Sequence, residues 1–110
     1  MAKEYFEKLS QLVEELKLEK EITQPIEIRH FFSGAAFYVN KTICASWSPA
    51  GMAFKLSDRE INQLLLSGEA VPLKYFGKGH IKKGYALFEN PSNKKAGYWK
   101  DYFIRAAREV

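Results

Sequence analysis

The chain has one cysteine, Cys44, four prolines and no long apolar run. A single thiol can close no internal disulfide and build no cysteine-rich zinc site, so a reducing cytoplasm is the expected setting. The longest stretch of purely apolar residues and glycine runs from Gly34 to Val39, about a third of the ~20 residues that a membrane span needs. The N-terminus reads Met-Ala-Lys-Glu-Tyr-Phe-Glu-Lys, charged from its third residue, without the apolar core of a secretory signal. Neither membrane insertion nor export by that route is expected.

Catalytic signatures are also missing. Gly77 to Gly84 contains a Gly-Lys pair but lacks the Walker spacing, which needs a glycine four residues before Gly-Lys-Ser/Thr. No Gly-x-Ser-x-Gly elbow, zinc motif or dinucleotide fingerprint is present. His30 and His80 are the only histidines, and neither has a sequence-adjacent carboxylate or cysteine to complete a metal or catalytic group, so structural or solvated roles are expected for both. Cys44 falls inside a strand-like run, where a buried, inert thiol is the ordinary outcome. The expectation is a non-enzyme with no catalytic residue, cofactor or metal.

What is present is an ordinary globular composition. The 110 residues, 46% hydrophobic and 27% charged, fit one domain over residues 1–110. Such a chain buries roughly two-thirds of its unfolded surface and needs no staple. Its 17 basic and 13 acidic side chains leave +4, but unevenly. Residues 1–30 carry a balance of −2, residues 31–68 of +1 and residues 69–110 of +5.

The hydrophobic pattern gives the elements. Tyr5, Leu9, Leu12 and Leu16, with Phe6 and Val13 beside them, form a 3.6-residue stripe that predicts a helix over about 3–20, ended before Pro25. From 26 to 56 the apolar residues recur mostly at every second position. Asn40-Lys41 and Ser48-Pro49-Ala50-Gly51 punctuate this run as hairpin turns, giving strands at about 35–40, 42–47 and 51–56. Ser57 with Glu60 three residues later is a capping box, Ile61, Leu64 and Leu65 supply a buried stripe, and Gly68 is a stop, so a helix spans 58–67. Ala70 to Phe76 and Tyr85 to Glu89 read as two more strands around a Gly77–Gly84 connection. Asn90-Pro91 reads as the start of a last helix over about 92–108, which Gly97 weakens near its beginning. The fold class is α+β: helix, three-stranded antiparallel meander, helix, two strands, helix, with a five-stranded sheet.

Aromatic residues are frequent, at 15%. Phe37, Trp47, Phe54 and Trp99 fall on inward positions, so packing is their expected use, with both tryptophans in one core. Tyr38, Tyr75, Tyr85 and Tyr98 suit wetter edges. Lys74, Lys78, His80, Lys82 and Lys83 cluster around the Gly77–Gly84 connection, and Lys94, Lys95 and Lys100 follow one strand later. The first five are the candidate patch for an acidic partner surface or nucleic-acid phosphates, on an exposed loop.

The runs from Phe32 to Lys41, from Cys44 to Leu56 and from Val71 to Phe76 together resemble the N-terminal domain of the TfoX (Sxy) family, bacterial regulators of natural competence. The shared pattern is a small-residue and glycine entry into a strand, an Asn turn, the strand Gly51-Met-Ala-Phe-Lys-Leu56, a capped helix, a Pro-Leu-aromatic strand and a final helix with a tryptophan. It covers roughly residues 5–108. The resemblance implies a stand-alone version of that domain, without the C-terminal helical domain into which the full-length regulator continues. It further implies a cytoplasmic regulatory or adaptor role through an unidentified protein partner, linked to competence or transcription regulation, with room for a homodimer. The alternative is a weak, sequence-indifferent nucleic-acid or polyanion binder acting through the basic last third.

Overall fold

The computed structural model describes residues 3–31, 34–75, 80–91 and 94–110. The elements run α1 (Lys3–Glu15), α2 (Leu18–Glu21), β1 (Ile26–Phe31), β2 (Gly34–Val39), β3 (Thr42–Ser48), β4 (Gly51–Lys55), α3 (Asp58–Ser67), β5 (Val71–Tyr75), β6 (His80–Phe88) and α4 (Ala96–Arg108). The protein is an α+β fold. Its six strands lie in the order β1-β2-β3-β4-β6-β5, and every pairing is antiparallel.

Three expectations need correction. The sheet has six strands rather than five, because Ile26–Phe31 pairs along its whole length with β2 and extends the meander to four strands. The first helix is interrupted at Lys17, whose backbone is left-handed at φ 54. Leu16 and Leu18 are both buried, and residues two apart point to opposite sides of a continuous helix, so the chain breaks to bury both. The last helix starts at Ala96 rather than 92. Lys95 stands at its N-cap without a side-chain cap, and Pro91 accepts the Lys94 amide in a separate turn.

Local chemistry explains the well-formed joints. Asn40 and Lys41 both take positive φ, 50 and 68, the left-handed pair that a two-residue hairpin between Val39 and Thr42 needs. The Glu60 amide donates to Ser57 Oγ at 3.3 Å, while the Ser57 hydroxyl donates to the Glu60 carboxylate at 3.0 Å, closing the start of α3. Gly68 (φ 80) ends that helix, and the Glu69 amide reaches back to the Leu64 carbonyl.

All buried helical residues share one cluster with one face of the sheet. Leu9, Leu12 and Val13 of α1, Ile61 and Leu64 of α3, and Trp99 and Phe103 of α4 meet Phe37, Val39, Ala45, Phe54 and Phe88. Phe103 makes edge contacts with Phe37 at 5.1 Å and Phe54 at 5.0 Å. Trp99 is deep in this cluster, whereas Trp47 is only partly buried and packs against its rim. The helices therefore form one layer on one side of the sheet.

Candidate functional site

The structure describes only part of the basic patch that the sequence singles out. Lys78 lies outside the described residues, as do the side chains of Lys74, His80, Lys82 and Lys83. The described backbone corrects their setting. His80 to Gly84 belong to β6 rather than to a loop, with Lys74 opposite Ile81 and Tyr75 opposite His80. Gly84 has φ 86 next to the register shift between β5 and β6, so it accommodates an irregular strand instead of closing a connection. Of the later lysines, Lys94 stands over the Tyr98 ring at 5.0 Å and Lys100 pairs with Glu21 of α2 at 3.5 Å.

His30 is exposed on β1, its ring stacked on Phe6 of α1 at 4.6 Å. Cys44 sits where β3 shifts register against β2: Phe37 faces Ala45 and Tyr38 faces Ile43, leaving Cys44 without an opposite residue. It is fully buried, and that burial pushes its thiol up to about 12, against a smaller opposing pull from the Lys55 charge. Among the described residues, no three His, Cys, Asp or Glu side chains gather as metal ligands.

The most developed surface is one that the sequence reading missed. Ala36, Ala53, Tyr85 and Leu87 are buried yet lie outside the helix-facing cluster. The register aligns Arg29, Ala36, Ser46, Ala53, Leu87 and Val71 in one row across all six strands. Side chains alternate between faces, so this row belongs to the side away from the helices. Tyr85 donates its hydroxyl to the Ile43 carbonyl at 3.2 Å and strengthens the row's flank. Lys55 lies over the Tyr85 ring at 5.5 Å and Arg29 over the Tyr38 ring at 5.3 Å. The result is a sheet face whose small and apolar centre, Ala36, Ala53 and Leu87, is already buried, with Ser46 and Val71 partly exposed and two cation-aromatic pairs at its border. Its signal in the sequence is the run Gly34-Ala35-Ala36-Phe37-Tyr38-Val39, which stays apolar where a sheet with one wet face would alternate.

A cavity of about 300 Å³ opens where α3 ends and α4 begins, with Glu69, Glu89 and Lys94 around Tyr98 and Trp99. Its charges are of both signs and its lining is shared among β5, β6, α4 and the loops beside them, so it shows no convergent chemistry. On α3, Leu66 is 89% exposed. Among the described residues no helix is long and apolar enough to cross a membrane. No family model matches the chain, and no curated protein or solved structure matches it either.

Proposed function

We propose that the chain is a cytoplasmic regulatory or adaptor domain of the TfoX N-terminal kind, acting by contact with another protein. The observation that supports this reading is the row Ala36, Ser46, Ala53, Leu87 and Val71 on the helix-free side of the sheet. An antiparallel sheet covered on one side ordinarily turns polar residues to the other. Here Ala36, Ala53 and Leu87 are already buried, so the groups open to a partner on this face are the partly exposed Ser46 and Val71 with the flanking Arg29 and Lys55, a mixed small and charged surface suited to a polar-rimmed contact. The link to competence or transcription regulation comes from the family resemblance alone.

A second reading, nucleic-acid or polyanion binding, draws on the same face, since Arg29 and Lys55 each lie over a tyrosine ring, a pairing that also serves stacked bases. The +5 balance of residues 69–110 adds to it. One set of measurements separates the two. A specific protein that binds the wild type and is lost by Ser46→Arg, with the melting temperature unchanged, supports the adaptor. Salt-sensitive, sequence-indifferent retention on DNA or RNA at about 50 mM salt, without such a partner, replaces it by the second reading.

A further inference from the structure

The two edges of the sheet differ. β5 carries Pro72 and a register break, devices by which a sheet edge resists further pairing. β1 has neither between Ile26 and Phe31, and no described residue pairs with its outer side. The Asn40 amide donates to the Pro25 carbonyl at 2.8 Å, which fixes the phase of the ladder. Residues 25, 27 and 29 turn their backbone groups toward β2, and Ile26, Ile28 and His30 turn theirs to the open edge.

We infer that this edge pairs antiparallel with β1 of a second copy of the chain, in the two-fold register centred on Ile28. Only even-numbered residues offer edge-facing groups, so even residues must oppose even ones. Centring on Glu27 would set glutamate against glutamate, and centring on Arg29 would set arginine against arginine. Centring on Ile28 places Glu27 of each copy opposite Arg29 of the other. These fall in the non-hydrogen-bonded positions, where opposed side chains come closest. Ile28 then exchanges both backbone bonds with Ile28 of the second copy, and Ile26 does so with His30.

The side chains fit the same arrangement. Glu27 and Arg29 are exposed and now pair with each other within the strand at 2.9 Å, so both can turn to a new partner without uncovering a buried charge. On the helix side, Ile26, Ile28 and Val13 line a groove of about 460 Å³ along the edge, with Glu14 and Glu19 at its rim. A two-fold through Ile28 brings the second isoleucine to this groove. It also brings the second copy's His30, opposite Ile26, toward the acidic rim.

A charge-swap series tests the register by sedimentation over a concentration range. The wild type should show a concentration-dependent dimer. Arg29→Glu and Glu27→Arg should each weaken it at least about tenfold, because each sets like charges opposite twice over. An equimolar mixture of the two variants should restore dimer, since both cross-strand pairs are then complementary. The same dimer should protect the amides of Ile26, Ile28 and His30 from hydrogen exchange only at high concentration, while Glu27 and Arg29 stay protected throughout. That measurement decides the matter even if a variant folds poorly. A wild type still monomeric at about 1 mM, the weak end of measurable association, overturns the inference and makes the two charges guards of the edge. So do single variants that dimerise as well as wild type, a mixture no better than its components, or edge amides whose exchange ignores concentration.

Discussion

Phe54 of β4 and Trp99 of α4 stack with ring centroids 5.9 Å apart and only 19° between their planes. Phe88, Tyr102 and Phe103 also surround Phe54, so a central strand and the last helix are joined through one aromatic knot. Replacing Trp99 or Phe54 by alanine should cost about 3 to 5 kcal/mol, most of a small domain's stability. Trp47, only partly buried at the rim with Lys8 over its ring at 5.8 Å, should cost clearly less as alanine. Urea unfolding of the three variants checks the order, and equal losses at Trp47 and Trp99 would contradict it.

Elements with chemistry at both ends were legible in the sequence. Ser57, Glu60 and Gly68 bounded α3, and Asn40-Lys41 marked its hairpin, because caps and left-handed turns are decided by neighbouring residues. The break at Lys17 was not legible. The stripe continues through Leu16, and only the depth of Leu18 against the rest of the core makes the interruption favourable. β1 was obscured because Glu27 and Arg29 dilute its apolar content, as befits an edge. Gly77 and Gly84 read as loop boundaries, yet Gly84 sits within β6, where a distorted register requires its positive φ. The outward row across the sheet depends on which residues from six hairpin-linked or distant strands come level, a tertiary fact that spacing along the chain does not contain.

Two glycines should respond in opposite directions to alanine. Gly51 has φ 136, and a Cβ there would collide with the Phe88 carbonyl oxygen on the neighbouring strand, so Gly51→Ala should lose at least about 3 kcal/mol. Gly97 lies in the first turn of α4 with open space around it, and Gly97→Ala should gain up to about 1 kcal/mol. Thermal melts of both variants give the comparison, and a neutral Gly51→Ala would mean that β4 and β6 can separate locally at little cost.

The two ends of α3 should contribute separately. Ser57→Ala removes the acceptor for the Glu60 amide and should cost about 1 kcal/mol. Gly68→Ala meets no steric neighbour but must hold φ 80, which costs an L-residue about 1 to 2 kcal/mol. Both should lower the urea midpoint without changing the slope. The double variant should show the sum of the two losses, because the residues sit at opposite ends of the helix and share no partner.

Cys44 and Tyr102 make stability fall on the alkaline side. Burial raises the Cys44 thiol from 9.0 to about 12. Tyr102 rises from 10.0 to about 12, first through burial and then through its hydrogen bond with Tyr98. Each group holds its proton more tightly folded than unfolded. The stability this contributes is complete below the unfolded value and is lost as pH rises through the folded one. For Cys44 that window runs from about 9 to 12, and for Tyr102 from about 10 to 12. The native thiol should react slowly with a disulfide reagent near pH 8, and rapidly once urea unfolds the chain. The stability difference between wild type and Cys44→Ala should be constant below about pH 9 and shrink above it, because only the wild type retains a thiol to ionise on unfolding. Tyr102→Phe should behave likewise from about pH 10. A difference for Cys44→Ala that stays level to about pH 11 would show that the thiol is not held protonated by burial.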